Sequence, residues 1–296
     1  MGWLFEPGWW ANGTVRTALL VGFVVAVTSA VVGIFTVMRG QSFAGHALTD
    51  VATAGGAGAF LAGVAPLVGF VGGGVLGAGA MDAIGVQRVK GRDIATGVVL
   101  GAAMGLAALF LFLSARSSSA SGTTQLVLFG SIFTVSPSTL PEVSWLSGAV
   151  LVTLAAVARP LLLSSLSVEL AAARGVRLRS VGLIFMVVLA VAVGMSAIVI
   201  GAILSTALLI GPPASALRVA RRVGRAVALA AGLGVLATWV GVLFAYDSYY
   251  WFPSHRSLPV SFFVVAAIVV EYLVASVLRR RTRPAPVAAS EPEGWT

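Results

Sequence analysis

A chain of 296 residues with 58% hydrophobic side chains, 10% charged ones and a mean hydropathy of +1.01 is not a soluble globular domain; such a domain carries about 25% charged residues. It has no cysteine, which excludes disulfides and thiolate metal sites. Its net charge of +9 does not imply a nucleic-acid partner, because the basic residues stand at the ends of apolar runs and form no single patch.

The first 14 residues carry Trp3, Phe5, Trp9 and Trp10, and no basic residue precedes Arg16. The apolar run Val15 to Met38 is too long for a signal-peptide core and lacks a small-residue cleavage site, so it stays as a membrane helix. The aromatic rings before it suit the headgroup region. Predicted spans then lie near 15–38, 47–65, 66–84, 94–113, 141–162, 180–197, 199–217, 225–245 and 259–278. The runs Val15 to Met38, Ile94 to Leu113, Val181 to Ile210 and Val260 to Leu278 reach or approach the roughly 20 apolar residues a crossing needs. Each must be helical, because lipid leaves backbone groups no water to bond. The expected fold class is therefore all-α, a polytopic membrane bundle of about nine transmembrane helices. Residues 1–14 form an extracytoplasmic segment, 15–278 the transmembrane domain and 279–296 a disordered cytoplasmic tail.

Two stretches read differently. "TTQLVLFGSIFTVSPSTLP" has too short an apolar run before Pro137 and Pro141 for a full crossing and suits a half-helix. "LSSLSVELAAARGVRLR", residues 163–179, is a polar helix candidate between two spans, either a docking surface or a plain connector. Gly175 is its stop signal, with Arg174, Arg177 and Arg179 near its C-terminal end. With the Arg279–Arg281 cluster placed inside, sixteen of the 19 basic residues fall on the cytoplasmic side, leaving only Arg16, Arg116 and Arg256 outside. That asymmetry predicts an outer N-terminus, a cytoplasmic C-terminus and residence in the cytoplasmic membrane.

Within the spans, His46 and Asp50 are four residues apart and so share one helix face. Counted from Gln41 they lie roughly 8 Å and 14 Å deep. A carboxylate there costs several kcal/mol unless it is paired or hydrated. The pair is read either as a hydrogen bond that locks the bundle or as part of an ion path, and its N and O donors suit zinc or manganese. Asp82, near a helix end, reads as a cap or interfacial residue, Glu271 as snorkelling or arginine-paired, and His255 as solvated. No GxxxxGK[ST] loop and no nucleophile triad is present, so the chain reads as no enzyme and any energy source sits in a partner.

Four stretches carry a family resemblance over most of residues 15 to 245. "VVGIFTVMRGQSFAGHALTD" is similar to a first helix ending in basic residues, followed by a Gly-Asp-x-Leu-x-His segment. "GRDIATGVVLGAA" looks like an Asp-x-x-x-Gly helix start, with Asp93 and Gly97 in place, and "LFGSIFTVS" resembles a Leu-Phe-Gly segment. The most specific runs from Val168 to Arg222, with Glu169, Ala171 and Gly175 in the loop, then Gly201, then Leu208 to Pro213. In these the chain resembles the manganese/zinc-type permease family of ABC importers.

That resemblance implies a type II importer permease, paired as a homodimer in the lipid bilayer. It implies a cytoplasmic ATP-binding subunit docked near Glu169, Ala171, Gly175 and Arg177, and an extracytoplasmic metal-binding protein. His46 and Asp50 would line the metal path in inverted order, with zinc or manganese as transported substrate and no cofactor bound. A permease for another small ligand, or an ion-coupled secondary carrier, is the alternative.

Overall fold

The computed structural model describes residues 9–84, 92–116, 127, 130, 132–251 and 258–282. Their regular structure is all helical: α1 (Gly13–Met38), α2 (Ser42–Ala62), α3 (Pro66–Ile84), α4 (Arg92–Arg116), α5 (Thr139–Leu166), α6 (Val168–Ala173), α7 (Leu178–Ile200), α8 (Ala202–Val219), α9 (Val223–Trp251) and α10 (Val260–Thr282), with one 3-10 turn at Ile132–Thr134. Among the described residues nine helices have 18 residues or more, and each covers most of a different predicted span. Seven are long and apolar enough to cross a membrane; α2 and α8 are not among them.

Helices α1 and α7 form the centre of the bundle and are each buried over 72% of their apolar stretch. A hydrogen bond between Ser29 and Ser196 Oγ atoms, 2.6 Å apart, ties them together. Ile34, Phe185, Leu189 and Met195 fill the space around them. The other crossing helices turn Leu76, Ile94, Val152 and Val270 outward, as lipid-facing surfaces do. Helix α2 packs against α3, α4, α7 and α8. Against α3 it meets backbone on backbone: a methyl on Gly73 would lie 2.8 Å from Gly55 Cα, and one on Gly55 2.3 Å from the Gly69 carbonyl.

The helix ends correct two expectations. Gly40 takes φ +61°, and the N–H groups of Gly40 and Gln41 bond the carbonyls of Val37 and Thr36 at 3.1 and 2.9 Å. This Schellman closure turns the chain at once, so α2 starts at Ser42 and His46 lies in its second turn, not in a loop to residue 46. The polar stretch 163–179 likewise is not one helix. Ser167 caps α6 by accepting from Leu170 N–H at 3.1 Å. Gly175 at φ +74° ends it, with Gly175 and Val176 bonded back to Ala172 and Ala171. Only Arg174 stays at the C-terminal end of α6; Arg177 precedes α7 and Arg179 lies in its first turn.

Tyr246, Tyr249, Tyr250 and Trp251 lie on the last turns of α9, which outruns its predicted end. Trp3, Phe5, Phe252, His255, Arg88, Lys90, Arg256 and the tail from Arg283 lie outside the described residues, as do residues 123–126, 128, 129 and 131 of the predicted half-helix, whose described part holds the 3-10 turn Ile132–Thr134.

Candidate functional site

On α2 the residues between the polar ones are mostly alanine and glycine, so the helix meets its neighbours closely. Thr49 and Thr53 return their hydroxyls to the carbonyls of Gly45 and Thr49, at 3.0 and 2.7 Å, and are buried. His46 and Asp50 are different. Their side chains are 42% and 18% exposed on the surface of the single chain. His46 Nε2 and Asp50 Oδ2 stand 3.9 Å apart. That is beyond hydrogen-bond reach, so the two groups face the same space without consuming each other's lone pairs.

A third group joins them from α8. Thr206 Oγ1 lies 3.1 Å from His46 Nδ1 and fixes the ring's orientation. Sequence reasoning missed it; the signal was a polar Ser205–Thr206 pair inside the apolar run that begins α8. Helix α8 also lies close against α1, for a local reason. Pro212 and Pro213 have no N–H to give the carbonyls of Leu208 and Leu209. Gly33 of α1 leaves room for the Leu209 carbonyl, which a methyl at Gly33 would meet at 1.9 Å.

The remaining polar residues lie elsewhere. Asp82, at the end of α3, pairs with Arg179 of α7 at 3.5 Å, an interfacial tie. Glu271 finds no arginine: among the described residues its carboxylate oxygens are buried without a hydrogen-bond partner. Glu169, Arg174, Gly175 and Arg177 are exposed around α6, while Ala171 is fully buried and anchors it. Leu166, Val168 and Leu170 are 78%, 54% and 47% exposed beside them. The structure therefore places the His46 pair and the α6 residues apart. No group of three or more His, Cys, Asp or Glu side chains able to hold a metal occurs among the described residues. A cavity of about 420 Å³ lined by Phe60, Pro66, Phe70, Glu142 and Ile198 opens at the far end of α2, about 21 Å along the helix from His46.

Comparison with known proteins bears on what such an arrangement does. The model of the ABC 3 transport family matches residues 12–277. The chain is 29% identical over 234 residues to the manganese import system permease protein ScaB of Streptococcus pneumoniae, covering 78% of this chain and 81% of that one. It is 27% identical over 248 residues to the manganese transport system membrane protein MntC of Listeria innocua, covering 82% and 85%. In fold it is similar to a chain of PsaBC from Streptococcus pneumoniae in complex with Fab, with TM-score 0.78 and 23% identity over 90% of this chain and 92% of that one.

Proposed function

The chain belongs to the ABC 3 transport family, and on that premise we propose that it is the membrane-spanning permease subunit of an ABC importer for a divalent metal ion, manganese before zinc. One observation carries the reading. On a helix of alanine and glycine packed against four others, the imidazole of His46 and the carboxylate of Asp50 stand 3.9 Å apart on one face and stay partly open. Both are donors for manganese or zinc. Donors about 2.1 Å from a shared ion span close to the observed separation at a wide angle. With Nδ1–H donating to Thr206, Nε2 keeps its lone pair for the ion, the outer-shell arrangement usual for metal-bound histidine.

Two donors make a passing site, because a closed zinc site takes four. A second copy of the chain, related by a twofold axis, would bring another His46 and Asp50 to the same ion. Its path would begin where an extracytoplasmic metal-binding protein delivers the ion, near the cavity with Glu142, and continue along α2. The power comes from a separate ATP-hydrolysing subunit seated on α6, where Leu166, Val168 and Leu170 offer apolar contact and Glu169 and Arg177 offer charge. Nucleotide-driven closure of that subunit would select between inward- and outward-open packings. The orientation is the one the arginines predict, with the N-terminus outside and residues 279–296 in the cytoplasm.

The test is uptake of radiolabelled manganese by cells that depend on this system. His46→Ala and Asp50→Ala each abolish uptake at normal membrane levels. Uptake at the parental rate in both variants rules out the metal path.

A further inference from the structure

Arg39 ends α1, and the proposed function leaves it unused. Its guanidinium reaches three other segments. Nη1 donates to Ser164 Oγ at 2.9 Å, Nε donates to Gln41 Oε1 at 3.3 Å, and the group lies 5.5 Å from the centre of the Phe185 ring. Ser164 is in the last turn of α5, three residues before the Ser167 hydroxyl that caps α6. Phe185 lies in the third turn of α7, the helix that the chain enters on leaving α6 through Gly175. One cation therefore holds both flanks of the exposed helix α6. Gln41 is 4% exposed, and its carbonyl accepts from Gly45 N–H at 2.9 Å, one residue before His46. The same cation thus grips the start of the helix that carries the metal donors.

A guanidinium is the side chain suited to this place. Its planar fork donates in several directions while its face lies on an aromatic ring, which a lysine ammonium does not reproduce. Resting on the proposed function, we infer that Arg39 is the positioning residue that passes displacement of α6 to the start of α2. It does not touch the ion. A plain structural staple would make the same contacts, but its loss would lower stability and leave the nucleotide response of α2 intact.

The absence of cysteine makes the distinction measurable. In the permease with its ATPase partner, Ser42→Cys places a unique thiol on the first turn of α2. Its labelling rate by a maleimide is read with and without ATP and vanadate. With Arg39 in place, nucleotide changes the rate about threefold or more, the scale of ordinary intersite coupling. Arg39→Ala removes the difference while the ATPase still co-purifies. Arg39→Lys restores part of it, and Ser164→Ala weakens it. A full nucleotide response with Arg39→Ala overturns the inference, and so does a thiol at Ser42 that never responds. Should Arg39→Ala fail to reach the membrane, Arg39→Lys and Ser164→Ala decide, and an undiminished response in both overturns it as well. The readout is motion of α2, so a permease that moves no manganese would fail the metal assignment and still answer for Arg39.

Discussion

Two acids in the long helices have opposite surroundings. Asp50 is partly open and stands opposite an imidazole, whereas both oxygens of Glu271 are buried and accept no hydrogen bond among the described residues. A buried, unpartnered carboxyl costs stability, and an apolar residue of similar size removes the cost. Glu271→Met is therefore expected to leave uptake unchanged and hold or raise the unfolding temperature of the purified protein; a clear drop would mean that Glu271 is paired in the assembly. The His46 ring depends on Thr206, 160 positions further along the chain. Loss of such an outer-shell partner weakens metal binding about 10-fold or more. Thr206→Val should raise the manganese concentration for half-maximal uptake by that factor, and Thr206→Ser should restore it. Equal values for the two variants would remove the hydroxyl from the site.

Helix contacts here are set by what is missing from the side chains. Gly72 and Gly73 are neighbours on α3, yet a methyl on Gly72 meets nothing within 4 Å, while one on Gly73 lands on the backbone of α2. Gly73→Ala should destabilise the protein by about 1–3 kcal/mol, the usual cost of overpacking, and Gly72→Ala should be silent. Thermal unfolding in detergent compares the pair, and a silent Gly73→Ala would contradict the close approach. Neither glycine differs from the other in composition, so this contrast was not legible in "VGGGV". Which of the three touches α2 depends on the rotation of α3, and with so few bulky or polar side chains its sequence does not fix that rotation.

At the scale of the molecule, nine long helices were legible, seven of them apolar enough to cross a membrane, because lipid demands long apolar helices and breaks them at polar or glycine positions. The His46–Asp50 pair was legible because ionisable residues are scarce in such spans. The break after Met38 was legible, but α2 was expected to start at 47 and starts at Ser42: a left-handed glycine turns the chain in two residues, and an apolar run does not mark how short the turn is. Thr206 was missed because pairing across 160 residues follows from packing and not from local pattern. On the proposed function one chain offers two donors and a bound ion seeks at least four, so a site shared by two copies should hold about half an ion per chain. Equilibrium dialysis of the purified permease with manganese reads that ratio; one ion per chain would mean that each copy completes its own site.

The glycine contact between α2 and α3 also limits how the transporter can be trapped. Two backbones in direct touch have no layer of side chains to shear, so these helices travel together as a single plank. Movement of the pair is easier on the other flank, where Gly45 meets only side-chain tips, those of Leu209, Thr36 and Leu189, and one hydrogen bond, His46 to Thr206, ties α2 to α8. A crosslink engineered from α2 to α8 would therefore freeze the pump, while one from α2 to α3 would leave it running.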